Sequence, residues 1–136
     1  MAVKPRVLQF DVTVDRAGDA RSALGGTPLP REAEWWAEHL VLAGLVRCTL
    51  TSLAYHAQLA GLELESSGEA EGVVSRRESD GRYAFTEIAV AIDVTVDPVP
   101  ENVRELLANA ERDCFVGASL TAKPRYRWTV NGEEIA

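Results

Sequence analysis

Positive charge and sulfur are both scarce in this chain. Lys and Arg total 14 against 21 Asp and Glu, a net charge of −7. A protein that neutralises phosphates needs a basic face, so nucleic-acid binding is excluded as a working class, and docking on an anionic membrane surface is disfavoured for the same reason. The N-terminus has neither the apolar run nor the small-residue cleavage site of a secretory signal, and a cytoplasmic location is expected. The most apolar stretch, Leu40 to Leu62, is interrupted by Arg47 and carries His56 and Gln58, so it reads as a buried helix rather than a membrane span. Repeats, linkers and low-complexity tracts are also missing. At 136 residues the chain suits one domain over 1–136. Only Cys48 and Cys114 supply thiols, and in a reducing compartment a lone pair is more often catalytic, redox-active or buried than a structural staple.

Hydrophobic spacing supplies the elements. Leu8, Phe10, Val12 and Val14 alternate with polar residues, the period of a half-buried strand, which gives out in the turn-like run from Arg16 to Asp19. Gly25, Gly26, Pro28 and Pro30 forbid regular structure until Arg31. From there to Ala60 a long helix is expected, with Glu32, Glu34 and Glu38 near its positive end and Gly61 where a terminating glycine belongs. Leu62 to Val74 follows as a strand whose inner face includes Ser66, Gly68, Ala70 and Gly72, small enough to admit the helix close to the backbone. Ser79, Asp80 and Gly81 mark a turn, and Thr86, Ile88, Val90, Ile92, Val94 and Val96 complete a hairpin. Val103, Leu106, Leu107, Ala110 and Cys114 share one face of a second helix. The last strand alternates Pro124, Tyr126, Trp128 and Val130 with basic residues until Asn131-Gly132. An α+β domain is expected, an antiparallel sheet wrapped around a long central helix with a second helix, and without the βαβ rhythm of a nucleotide-binding sheet.

On residue type alone, Cys48 and Cys114 read more readily as small buried hydrophobes than as reactive thiols. His39 and His56 show no ligand spacing with the cysteines, so metal binding is rejected and no cofactor is expected. Trp35 and Trp36 suit packing or an interface, and Lys123, Arg125 and Arg127 suit a solvated strand face.

The segment Ala37-Glu-His-Leu-Val-Leu-Ala-Gly-Leu-Val-Arg-Cys-Thr49, continuing to Leu64, resembles the central helix of the OsmC/Ohr superfamily, the osmotically inducible and organic hydroperoxide resistance proteins. The run Glu111-Arg-Asp-Cys-Phe-Val-Gly-Ala-Ser-Leu120 resembles its second cysteine motif. The resemblance implies a thiol peroxidase for organic hydroperoxides, with Cys48 as the reactive and Cys114 as the resolving cysteine, recycled by an external dithiol. It also implies a homodimer, with Glu38 in the role of the site glutamate and Arg16 in that of the loop arginine, Arg21 being the competing choice. The sequence departs from the family pattern at Trp36-Ala-Glu38, where Asn-Pro-Glu is frequent, and at Cys114-Phe-Val, where Cys-Pro is frequent.

The residue types suit that reaction. A thiolate attacks the distal peroxide oxygen, so a thiol with an intrinsic pKa of about 8.5 must ionise near neutral pH. A guanidinium beside it stabilises the anion, and a carboxylate orients the guanidinium. Phe115 is the expected wall for an alkyl group, with Leu40, Val41 and Leu45 nearby. A redox sensor or small-molecule-binding domain on the same fold is the alternative. Glu38 and Cys48 stand ten positions apart, about 15 Å along a straight helix, so either the helix breaks at Gly44 or Glu38 serves a site on a second chain.

Overall fold

The computed structural model describes residues 6–136. The chain separates into two compact units, Met1–Ala37 and Glu38–Ala136.

In the first unit, strands β1 (Val12–Val14) and β2 (Ala20–Ser22) form an antiparallel pair. Asp15 makes the turn between them: its carbonyl accepts the Gly18 N–H at 3.0 Å, and its Oδ1 accepts the N–H groups of Ala17 and Asp19, each at 3.0 Å. The strand expected from Leu8 begins only at Val12, and Leu8, Phe10, Val12 and Val14 are all exposed. A two-stranded ribbon offers its apolar stripe no second layer within its own unit. Residues 31–36 lie outside the helix that was expected to start there. A separate turn closes first, with Trp35 N–H on the Glu32 carbonyl at 3.1 Å and the Trp36 indole N–H on the Ala33 carbonyl at 3.1 Å.

The second unit opens with α1 (Ala37–Leu59), which is continuous through Gly44. Its C-terminus closes as expected: Gly61 takes φ 71°, which lets Leu62 N–H return to the Ala57 carbonyl at 2.9 Å. By length and mean hydropathy α1 is long and apolar enough to cross a membrane. Leu45, Thr49, Ser52, Leu53 and Ala57 are instead buried in the domain. Strands β3 (Glu63–Arg76) and β4 (Tyr83–Asp97) form the predicted hairpin, and Ile88, Val90, Ile92, Val94 and Val96 point into the core. The small-residue face of β3 does admit the helix. A Cβ placed on Gly68 would meet Val46 of α1 at 3.1 Å and Ile92 at 2.6 Å, and one on Gly72 would meet Leu42 at 3.2 Å and Phe85 at 2.5 Å.

Helix α2 (Val103–Arg112) is capped by Asn102, whose side chain accepts the Glu105 N–H at 3.2 Å. Its buried stripe is Leu106, Leu107 and Ala110, with Cys114 beyond its end. A five-residue helix, α3 (Phe115–Ser119), then starts on Cys114 as its N-cap. Strand β5 (Arg125–Val130) and strand β6 (Glu133–Ile135) complete a four-stranded sheet of order β3-β4-β5-β6.

The α+β class holds, with one correction to the expected antiparallel sheet: β5 runs parallel to β4. The chain from Pro98 to Pro124 is long enough to carry it back to the end where β4 began, which a short hairpin turn cannot do. Strand β6 was also unforeseen. Asn131, at φ 49°, and Gly132 turn the chain into it, and the Asn131 side chain clamps β4 through Val96 N–H at 2.9 Å and the Val96 carbonyl at 3.1 Å. Leu45 and Leu53 of α1, the inner face of β4, the α2 stripe, Cys114, Trp128 and Val130 form one buried cluster.

Candidate functional site

Two thiols meet where α1 passes the start of α3. Cys48 sits midway along α1 and is half-buried, while Cys114 is 0% exposed. The Cys114 side chain lies close enough to Cys48 to act on its ionisation, and the backbone N–H groups of Val116 and Phe115 also face the Cys48 sulfur. This follows from the local chain direction. The first N–H groups of a helix have no carbonyl within it to bond, and those of α3 open toward α1.

These groups do not lower the Cys48 pKa as the sequence reading required. Burial pushes the thiol above its ordinary value, the Val116 N–H opposes that, and the adjacent Cys114 adds to the rise. None of the groups acting most strongly on Cys48 is a cation. Arg47 is exposed and belongs to a different helix face, as expected for adjacent positions. The structure therefore places the cysteines together, and among the described residues no guanidinium is one of the groups acting most strongly on Cys48.

Cys114 is held by a polar network that sequence reasoning did not find. Its sulfur accepts Gly117 N–H at 3.4 Å and the Thr49 hydroxyl at 3.4 Å, and faces the Leu45 carbonyl at 3.9 Å. Thr49, also fully buried, lies 3.0 Å from the Leu45 carbonyl and 2.9 Å from the Tyr126 hydroxyl. Burial pushes Tyr126 up to about 12, so the phenol keeps its proton. Its ring stacks on Trp128 with centroids 5.7 Å apart, and the Trp128 indole N–H donates to Glu111 at 2.9 Å. Inward-facing Tyr126 was legible from strand alternation, and Thr49 from its place beside Cys48. Their meeting was not, since 77 positions separate them.

The other expected residues are more dispersed. Phe115 opens α3 with its backbone at Cys48 and its ring 61% exposed. Leu40 and Val41 are exposed on α1, whereas Leu45 is buried beneath Cys114 and cannot serve as substrate wall. Glu38 is exposed in the first turn of an unbroken helix, so the structure does not bring it to Cys48, and a break at Gly44 is ruled out. Arg16 lies exposed in the Asp15–Gly18 turn of the first unit. Arg21 is committed to Asp15 at 2.6 Å, which leaves Arg16 as the uncommitted arginine of that hairpin among the described residues. His56 meets Asp113 at 2.7 Å.

The site is thus a half-buried thiol beside a buried one at a helix start, on an α+β scaffold. The family model for OsmC-like protein matches residues 33–129, and the chain belongs to that family. Among solved structures, an OsmC-like protein of unknown function from Vibrio cholerae is 15% identical, with a TM-score of 0.75 over 90% of this chain and 99% of that one. An organic hydroperoxide resistance protein of Bacillus subtilis is 20% identical, with a TM-score of 0.58 over 90% and 96% of the two chains. A putative organic hydroperoxide resistance protein from Vibrio cholerae, with captopril bound in one of its active sites, is 18% identical, with a TM-score of 0.67 over 96% of each. No curated protein sequence is close enough to match.

Proposed function

We propose that the protein is a thiol-dependent peroxidase that reduces organic hydroperoxides to alcohols. The observation that supports this best is the approach of Cys114 and the α3 N–H groups to Cys48. The Cys48 thiolate attacks the distal peroxide oxygen; the O–O bond breaks, the alkoxide leaves and takes a proton, and Cys48 becomes a sulfenic acid. Cys114 then attacks the Cys48 sulfur, the S–O bond breaks, and a disulfide and water result. An external dithiol restores both thiols. The hydroperoxide resistance proteins among the structural relatives support the same reading.

The raised Cys48 pKa gives this reading a specific requirement, a cation beside the thiol. The family resemblance offers Arg16 for that role and Glu38 to orient it, and we propose a homodimer as the assembly. The exposed apolar residues Leu40, Val41, Tyr55 and Leu59 of α1 support such an interface, as do Phe10, Val12 and Val14 in the other unit. The second reading is a redox sensor on the same fold that is oxidised once and does not turn over.

Hydroperoxide consumption with excess dithiol separates the two. The enzyme consumes many equivalents, Cys48→Ser consumes none, and Cys114→Ser stops after one with a sulfenic acid that dimedone traps. Consumption of one equivalent by the unmodified protein would establish the sensor, and full turnover by Cys48→Ser would overturn both.

A further inference from the structure

We propose that Thr49 is a positioning residue for Cys114: its hydroxyl turns between the Leu45 carbonyl and the Cys114 sulfur as that sulfur holds or releases its proton, with Tyr126 as the fixed donor behind it. The resolving role this gives Thr49 rests on the two-cysteine chemistry proposed above.

A hydroxyl has one proton to give and lone pairs that accept. Thr49 Oγ1 has three partners, the Leu45 carbonyl at 3.0 Å, Tyr126 Oη at 2.9 Å and Cys114 Sγ at 3.4 Å. Tyr126 keeps its proton, since burial holds the phenol high, and with the Thr49 proton on the Leu45 carbonyl it is Tyr126 that donates across the 2.9 Å contact. The Thr49 proton then has two possible acceptors. The Leu45 carbonyl also accepts the α-helical N–H of the fourth residue on, so it keeps a partner when the hydroxyl turns away. Cys114 does not have that reserve. At 0% exposure its anion must be solvated by protein donors: the Gly117 N–H and the Thr49 hydroxyl, each at 3.4 Å, with the Tyr126 hydroxyl and the Cys48 thiol also acting on the sulfur.

The other ionisable groups around Cys114 cannot take Thr49's place. Cys48 on α1 is a second thiol, and in the resolving step it is already a sulfenic acid with no thiol proton left to donate. Glu111 on α2 is negative and tied to the Trp128 indole, and Asp113 is negative and tied to Arg112 and His56. Tyr126 on β5 bonds Thr49 at 2.9 Å and also acts on Cys114 directly, so it adds to the Thr49 hydroxyl without replacing it.

In the resolving step the Cys114 S–H bond breaks, the S–S bond forms and the Cys48 S–O bond breaks. The departing hydroxide takes up the released proton as water. Cys114 is oxidised and the sulfenic sulfur reduced, so the step needs no further reagent. A hydroxyl that turns onto Cys114 as its proton leaves stabilises the nucleophile at that moment.

The test uses a Cys48→Ser protein, in which Cys114 is the only thiol, and follows its ionisation by the ultraviolet absorbance of the thiolate. Adding Thr49→Val, which keeps the shape and removes the hydroxyl, raises the Cys114 pKa by about one unit, as loss of one hydrogen bond to a charged group implies. Thr49→Ser returns it to the parent value. Tyr126→Phe moves it in the same direction by less, and this variant carries the test should Thr49→Val not fold. With Cys48 present, Thr49→Val lengthens the lifetime of the dimedone-reactive sulfenic acid after one equivalent of cumene hydroperoxide and shifts the pH profile of its decay upward. An unchanged Cys114 pKa in folded Thr49→Val, or an unchanged one in Tyr126→Phe where Thr49→Val is unfolded, would overturn the assignment, as would a Thr49→Ser protein that behaves like Thr49→Val. The titration involves no hydroperoxide, so a failure of peroxide turnover would sink the proposed function without deciding this one.

Discussion

Replacing Phe115 by alanine separates substrate binding from thiol chemistry, because the two depend on different atoms of the same residue. The backbone N–H faces the Cys48 sulfur and survives the substitution, whereas the ring, 61% exposed, does not. A phenylalanine side chain carries about 200 Å², so roughly 120 Å² of this ring is open to a ligand. Covering half of it at about 25 cal/mol per Å² stabilises a bound aryl or alkyl group by about 1.5 kcal/mol, roughly a tenfold effect. Hydrogen peroxide has no apolar surface to gain from this. Phe115→Ala should therefore lower kcat/KM for cumene hydroperoxide about tenfold and leave that for hydrogen peroxide within a factor of two. Steady-state assays with a coupled dithiol measure both. An equal loss for both peroxides would mean that the ring positions the cysteines instead, and no loss for either would remove Phe115 from the site.

The Arg112 guanidinium, with His56, holds the Asp113 carboxyl at about 2, below its ordinary value. Such a group stabilises the fold above about pH 4 and loses that contribution as pH falls toward 2; its partial exposure keeps the effect small. Asp113→Asn should accordingly flatten the acid limb of a thermal-melting profile between those values, and an unaltered limb would refute the linkage. Light scattering at micromolar concentration should give twice the 14.8 kDa of one chain, and a monomer mass would remove the homodimer from the proposal.

Where periodicity and turn chemistry act locally, the sequence was readable. Ile88 to Val96 alternate because one side of β4 is core, and the same rule exposed the inward side of β5. Gly68 and Gly72 announced the close approach of α1 before any coordinate did. The parallel pairing of β4 and β5 was hidden, since either strand direction satisfies the same alternation. The start of α1 was misplaced because charge at Glu32 and Glu34 suits a helix start, while the Trp35 and Trp36 bonds that actually turn the chain carry no spacing signal. In the candidate site the two cysteines stood out by rarity. The environment of Cys48 did not, because burial, and not a neighbouring charge, sets the direction of its pKa.

Strand β5 pairs with β4 across the connection that carries α2 and α3, and this gives the site a date in the life of the chain. Thr49 touches Cys114 across 65 positions and Tyr126 across 77, whereas the β3–β4 hairpin closes between neighbours in sequence. Long-range contacts of this kind come late, after the loop-closure entropy has been met. A chain emerging from the ribosome thus exposes Cys48 as an ordinary free thiol until the strand that contains Tyr126 has been made. The environment of Cys114 exists only in the finished fold, so its burial reports that folding has been completed, and a thiol probe that distinguishes half-buried Cys48 from buried Cys114 follows the last step of assembly directly.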